Sequence, residues 1–323
     1  MTAKKVNWGV ISCANIADKS VIPGIIGAQN ATLYAVSSRS REKAEEFKNK
    51  HNAEKAYDSY DKLLDDPNVD AVYIPLPNAL HKEWVLKAAE KGKHILCEKP
   101  LGITAQEVLD MKAACEKYNV KLMEAFAYRH SPLTHKAKEL ADSGIVGKLK
   151  VIEAWFSFQL DDLNNVRLIS DLGGGATYDV GCYVINIIRY IAGGEPINVI
   201  ASGETGAISG VDESSCMLFE FENGLKAAAH CAFNSAPRSG YRIVGETGII
   251  EVDIMFNAKG ELGIQVIKDD HTDIITVSTP DNYMLEVEQF GRCILDGEAP
   301  HLSLDDSYGN AVVIDKVLAQ IKK

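Results

Sequence analysis

The sequence predicts an α/β chain in two parts. The N-terminal half reads as a parallel sheet flanked by helices, and the C-terminal half as an α+β domain around a large, mostly antiparallel sheet. Three observations predict this. Up to Ala125, short apolar runs alternate with helix-period segments, the pattern of a parallel sheet covered on both faces. From Ile197 onward, short alternating runs follow one another, with the hairpin signal Asn223-Gly224 between two of them. At 323 residues, 46 % apolar and 24 % charged, the chain is long enough for two domains, each able to bury a core.

In the first half, Val6–Ser12 is a strand, Asn15–Ala28 a helix, Thr32–Ser37 a strand and Arg41–Lys50 a polar helix. A short helix, Tyr57–Asp65, and the turn Asp66-Pro67-Asn68 lead to strand Ala71–Pro75. Asn78 is expected to cap an amphipathic helix, Ala79–Lys91, that Gly92 stops. His94–Cys97 and Lys121–Ala125 are strands around the helix Ala105–Tyr118. In the second half one strong helix, Ala176–Ile191, precedes the strands Ile197–Ser202, Ser214–Phe221, Leu225–Phe233, Tyr241–Glu246, Gly248–Val252, Gly263–Ile267 and Asp273–Val277. Segments Phe158–Ser170 and Asn234–Ser239 read as loops, and helices Tyr283–Leu295 and Asp305–Ile321 close the chain. The boundary is expected near Phe126, giving domains 1–125 and 126–323, with the final helix a candidate to pack back on the first domain.

Composition excludes several classes. A net charge of −11 argues against a nucleic-acid partner, which needs a basic face. The seven cysteines form no C-x-x-C pair and sit mostly in apolar runs, so they read as buried reduced thiols of a cytoplasmic protein. The eight histidines show no H-x-x-x-H spacing, and no metal is expected. The stretch after Lys4-Lys5 imitates a signal peptide, but Asn7 interrupts it and it is too short, so a buried strand fits better. No run approaches the ~18 apolar residues of a membrane helix.

The turn after the first strand is where a dinucleotide-binding Rossmann domain carries G-x-G-x-x-G. Here it reads Ser12-Cys13-Ala14-Asn15-Ile16-Ala17, with every glycine replaced by a small residue. Small volume lets backbone N–H groups and the helix N-terminus approach a pyrophosphate, although a plain strand-to-helix turn would look the same. At the end of the second strand, where NAD-specific sites carry a carboxylate, the chain has Ser37-Ser38-Arg39, with Arg41 and Lys43 just behind. Two hydroxyls and a guanidinium suit a 2′-phosphate. NADP is therefore expected, with NAD as the alternative. Ser12, Ala14, Asn15, Ile16, Ser37, Ser38, Arg39 and Lys43 are the candidate contacts.

Five further segments occur in order: Gly9–Ala17, Ile74-Pro-Leu-Pro-Asn-Ala-Leu-His81, Cys97-Glu-Lys-Pro-Leu-Gly102, Glu124-Ala-Phe-Ala-Tyr-Arg129 and Gly173-Gly-Gly-Ala-Thr-Tyr-Asp-Val-Gly-Cys-Tyr183. Together they resemble the glucose–fructose oxidoreductase/inositol dehydrogenase (Gfo/Idh/MocA) family, across the whole chain. The triple glycine and the Asp-x-x-x-Tyr pair are most similar to the branch holding glucose–fructose oxidoreductase, dimeric dihydrodiol dehydrogenase and NADP-dependent xylose dehydrogenase. Inositol dehydrogenase-like members place histidine where this chain has Tyr183.

The resemblance implies that Lys99 lies beside the nicotinamide, preceded by Glu98 and followed by a cis bond to Pro100. It implies cofactor contacts from Pro75, Pro77, Asn78, His81, Glu98, Lys99 and Arg129, and substrate contacts from Lys99, Arg167, Asp179 and Tyr183. For His81 a structural hydrogen bond is an equal explanation, and for Arg129 and Arg167 a surface salt bridge is. Oxidising a secondary alcohol needs a proton acceptor and a charge to stabilise the developing alkoxide. Lys99 follows a strand at the carboxyl end of the sheet, and Asp179 and Tyr183 are four apart on one helix. Tyr183 is expected as general acid/base, Lys99 as its electrostatic partner and Asp179 as an orienter, with Lys99 itself as the alternative proton carrier. The expected activity is an NADP(H)-dependent oxidoreductase acting on a sugar, polyol or cyclic diol. The alternative is a non-catalytic NAD(P)-binding sensor or regulator of the same fold. A homodimer or dimer of dimers, through the open face of the second sheet, is expected on pattern and resemblance.

Overall fold

In a computed structural model that describes residues 4–254 and 256–321, the strands in chain order are β1 Val6–Ile11, β2 Ala31–Ser37, β3 Lys55–Tyr57, β4 Ala71–Ile74, β5 His94–Glu98, β6 Leu122–Ala125, β7 Leu149–Gln159, β8 Asn198–Thr205, β9 Asp212–Glu220, β10 Lys226–Ala232, β11 Asn234–Gly245, β12 Ile249–Val252, β13 Gly260–Lys268 and β14 His271–Thr279. The helices are α1 Ile22–Gly27, α2 Arg41–His51, α3 Tyr60–Leu64, α4 His81–Glu90, α5 Ala105–Lys117, α6 Pro132–Asp142, α7 Cys182–Ala192, α8 Asn282–Leu295 and α9 Leu304–Ile321.

The chain divides into two compact units, and the division is not a single cut near residue 126. The first holds the chain up to Gly102 with Gln106–His130 and Pro280–Ser307; the second holds Ile103–Ala105, Ser131–Thr279 and the chain from Tyr308. Helix α8 belongs with the first unit because its inner face, including Val287 and Phe290, is buried there. Phe290 lies 5.9 Å from Trp8 of β1, and Asn30 donates to the Glu288 carbonyl. Helix α8 thus returns to the first unit, and the first turn of α9, Leu304–Ser307, goes with it while the rest of α9 belongs to the second.

The first unit is a six-stranded sheet of order β3-β2-β1-β4-β5-β6, parallel throughout. Its central strands are buried on both faces: β4 is fully buried and β1 nearly so, which is why they read as continuous apolar runs. The order reverses between β1 and β4. At such a switch point the loops leaving the carboxyl ends diverge and open a crevice for a ligand. The short β3, missed in the sequence, adds the edge through three residues of intermediate burial.

The second unit is an eight-stranded sheet of order β14-β13-β12-β11-β7-β10-β9-β8, antiparallel except where β10 runs parallel to β7. Helix α7 covers one face. Every residue from Cys182 to Arg189 is buried, as expected of a helix apolar on most sides. Strand β7 and helix α6 were not foreseen. β7 lost its alternation because Trp155 on the opposite face is also buried, under the Arg238 guanidinium 4.1 Å from its ring centre. Asn234–Ser239, expected as a loop, is the first half of β11, bulged against β7. The face away from α7 leaves Ile200 and Leu218 about half exposed (53 % and 55 %) and carries Cys216, the one exposed cysteine among the seven, all of which are free thiols.

Candidate active site

In the first unit the fingerprint turn leaves β1 at Ser12, whose φ of +87° lies in the region glycine favours. Its amide donates to the Ser37 carbonyl at 3.1 Å, tying the turn to the end of β2. The helix that follows opens with a π-helical turn, Ala17–Val21, before α1, a distortion that recurs at functional sites. Ser37 is fully buried and its hydroxyl donates to the Val10 carbonyl, so it faces β1 rather than the crevice. The Ser38 hydroxyl accepts from the Ser40 amide. The exposed positive groups here are Arg39 and Lys43, neither of which has a carboxylate partner, while neighbouring Arg41 pairs with Glu45. A small-residue turn at a switch point, no carboxylate at the end of β2 and a guanidinium left open fit a dinucleotide bearing a 2′-phosphate.

Lys99 stands just beyond β5 in a turn whose backbone is held at each step. The Lys99–Pro100 bond is cis. Glu98 Oε2 accepts the Lys99 amide at 3.2 Å, while its Oε1 accepts the phenol of fully buried Tyr73 at 2.6 Å. Glu124 Oε1, on neighbouring β6, accepts the Leu101 amide at 2.9 Å. The His81 ring lies between two carbonyl oxygens, Pro100 O at 2.9 Å and Leu76 O at 2.8 Å. It is fully buried, which pulls its pKa below the usual histidine range. His81 therefore joins the Leu76 and Pro100 loops, and its ring nitrogens are taken by the protein. Asn78 does not cap α4: it opens a 3-10 turn, Asn78–Leu80, closed by Leu80 N donating to Pro77 O, and α4 starts at His81 with no side-chain cap. Arg129 is nearly buried and commits its guanidinium to Asp306 at 2.8 Å, so it works as an anchor for the Ser303–Asp306 segment.

Within electrostatic reach of Glu98 is a further carboxyl that no sequence motif singles out. Glu286 of α8 is fully buried, neither oxygen has a hydrogen-bond partner, and His130 Nε2 is 4.0 Å away. Burial, and then the charge of Glu98, push its pKa well above the ordinary carboxyl range.

In the second unit the glycine run Gly173–Gly175 is dictated by close approach. Gly175 has φ +130°, and a side chain there would fall on the Asp212 carboxylate. Its amide donates to the Arg167 carbonyl at 2.9 Å, and Asp212 Oδ2 accepts the Thr177 amide at 2.7 Å. Thr177–Gly181 then forms another π-helical turn leading into α7. This packing presents Asp179 to Arg167, whose Nε donates to Asp179 Oδ2 at 2.6 Å. One turn on, Tyr183 is 8 % exposed against Phe156 (5.5 Å, edge-on) and Phe256 (5.3 Å). Of the predicted substrate residues of this unit, Arg167 and Asp179 are paired, and Tyr183 follows Asp179 by four residues among aromatic rings.

Residues 6–126 match the oxidoreductase family described by an NAD-binding Rossmann fold (GFO_IDH_MocA), and residues 134–251 match the GFO/IDH/MocA C-terminal domain. D-xylose 1-dehydrogenase (NADP(+)) 2 of Haloferax volcanii is 35 % identical over 96 % of this chain and 95 % of its own. The chain belongs to the Gfo/Idh/MocA oxidoreductase family. Within that family, trans-1,2-dihydrobenzene-1,2-diol dehydrogenase of Xenopus tropicalis is 32 % identical, covering 97 % of both chains. A 3-ketoreductase from Actinomadura kijaniata, solved with NADP and TDP-benzene, superposes with a TM-score of 0.93 at 26 % identity, covering 99 % of this chain and 98 % of that one. Glu124 lay inside a family segment but carried no role in the sequence, because nothing local says which amide its carboxylate reaches.

Proposed function

We propose that this Gfo/Idh/MocA oxidoreductase is NADP(H)-dependent and moves a hydride between the nicotinamide and a secondary alcohol or carbonyl of a sugar, polyol or cyclic diol. The observation that carries the cofactor choice is the carboxylate-free end of β2, where Arg39 is exposed and has no acidic partner. A 2′-phosphate accepts a bidentate pair from such a group, whereas a ribose diol calls for a carboxylate. The NADP named for the Haloferax and Actinomadura relatives supports the same choice.

The nicotinamide supplies the hydride acceptor or donor; the chain's own residues handle the proton and the charge. Tyr183 serves as general acid/base, exchanging a proton between its Oη and the substrate oxygen. Its aromatic surroundings exclude water from that exchange. Lys99 is given the electrostatic role, its ammonium stabilising the charge that develops on the substrate oxygen. Lys99 as the proton carrier is the alternative assignment. Asp179, held by Arg167, orients the substrate hydroxyl as an acceptor.

The open face of the eight-stranded sheet supports a homodimer. Ile200, Leu218, Ala228 and Trp155 line a depression of about 520 Å³ on it, flanked by Arg238 and Arg242. A cytoplasmic setting agrees with the free thiols, and no described helix is long and apolar enough to cross a membrane.

The test is a titration of the purified protein with NADPH and NADH, followed by nicotinamide fluorescence. NADPH should bind the more tightly, and Arg39→Ala should weaken it roughly 10- to 100-fold, the worth of a charge-assisted pair, with little effect on NADH. Equal affinities, or an indifferent Arg39→Ala, would overturn the cofactor reading.

A further inference from the structure

The turn that carries Lys99 is gripped from two neighbouring strands. On the β5 side, Glu98 accepts the Lys99 amide at 3.2 Å and is itself fixed by Tyr73 of β4 at 2.6 Å. On the β6 side, Glu124, 2 % exposed, accepts the Leu101 amide at 2.9 Å. These bonds lie on either side of the Lys99–Pro100 peptide, and proline brings no amide donor of its own. The grips are therefore the side-chain anchors of the two amides in the turn. A carboxyl oxygen accepts in each, and the bond to Leu101 is buried while that to Lys99 is part-buried.

We infer that Tyr73 and Glu124 are positioning residues for the reaction: Tyr73 through Glu98, and Glu124 through the Leu101 amide, they fix where the Lys99 side chain starts. The chemistry requires it. A lysine on a loose turn samples several origins, and a misplacement of about 1 Å costs on the order of 10²-fold in rate. Tyr73 is suited to the task. It is fully buried, and burial followed by the neighbouring charge of Glu98 raises its pKa well above the ordinary phenol value, so it stays a donor. The other ionisable groups acting on it, Glu286 and Tyr283, come from α8; burial first, then Glu98, raises both.

The inference rests on Lys99 acting in the reaction, so Lys99→Met is measured beside the test variants. Glu124→Gln keeps an oxygen for the Leu101 amide; Glu124→Met keeps the length and loses the acceptor; Tyr73→Phe removes only the donor to Glu98. Steady-state kinetics with NADP and a diol or sugar substrate, NADPH affinity and thermal midpoints are recorded for each. Expected are a kcat for Glu124→Gln within about threefold of wild type, and falls of about 10²-fold for Glu124→Met and at least tenfold for Tyr73→Phe. NADPH affinity should stay within about threefold. Folded Glu124→Met and Tyr73→Phe with wild-type kcat, beside an inactive Lys99→Met, would overturn the positioning role while leaving Lys99 in place. If Glu124→Met does not fold, Tyr73→Phe decides by the same criterion. Wild-type turnover by Lys99→Met would overturn both the catalytic reading and the inference.

Discussion

Replacing Glu286 by glutamine should make this protein more stable, and increasingly so as the pH rises. The carboxyl is fully buried on α8, without a hydrogen-bond partner on either oxygen. Burial and the charge of Glu98 raise its pKa well above the ordinary 4.5. In the unfolded chain it releases its proton above about pH 4.5, while the folded protein keeps it. A raised folded pKa contributes stability that is intact below the unfolded value and is lost as pH climbs toward the folded one. Each pH unit in that window costs the folded state about 1.4 kcal/mol. Glutamine has the same shape and no proton to lose. The stability of Glu286→Gln minus that of wild type should thus grow as the pH rises above 5, for as long as the folded carboxyl keeps its proton. Urea unfolding at pH 5, 6, 7 and 8 measures it. Changing Trp155 to phenylalanine in both proteins leaves Trp8 and Trp84 to report on the unit that holds Glu286. Stability curves that run parallel from pH 5 to 7 would refute the reasoning, because they would mean that Glu286 is already ionised in the folded state.

Two further outcomes follow from single positions. Ser12→Gly relieves a left-handed φ of +87°, worth about 1–2 kcal/mol before the entropy glycine adds to the unfolded chain. It should raise stability by about 0.5–1 kcal/mol and keep NADPH binding, and a loss of either, seen by urea unfolding and fluorescence titration, would count against the strained-turn account. Tyr183→Phe should lower kcat by about 10²- to 10⁴-fold, the usual worth of a general acid/base. NADPH affinity should be unchanged; a kcat near wild type would hand the proton to Lys99.

Much of this protein is written locally. Continuous apolar strands and amphipathic helices declare the parallel sheet, because period and burial leave their mark on every residue of an element. The alternation of β9, with Ser215, Met217 and Phe219 inward and Cys216 and Leu218 outward, declares its antiparallel partner sheet in the same way. Lys99, Asp179 and Tyr183 stood out because their segments have a recognisable order. The sequence was silent where one residue serves two surfaces, as in β7, where Trp155 is buried on the face opposite Ile152 and Ala154.

What only the tertiary structure decided are the partners reached across long stretches of chain. Local sequence determined that residues 12–17 form a tight turn and that β2 ends without a carboxylate. It did not determine that Ser37 turns to Val10, that His81 is locked between two carbonyls, or that Arg129 belongs to Asp306. Nor did it place Glu124 on the Leu101 amide or Glu286 in a dry interior. Periodicity records only which side of an element is buried. A buried polar group must find a donor or acceptor wherever the fold brings one, and that choice is made by packing between elements distant in sequence.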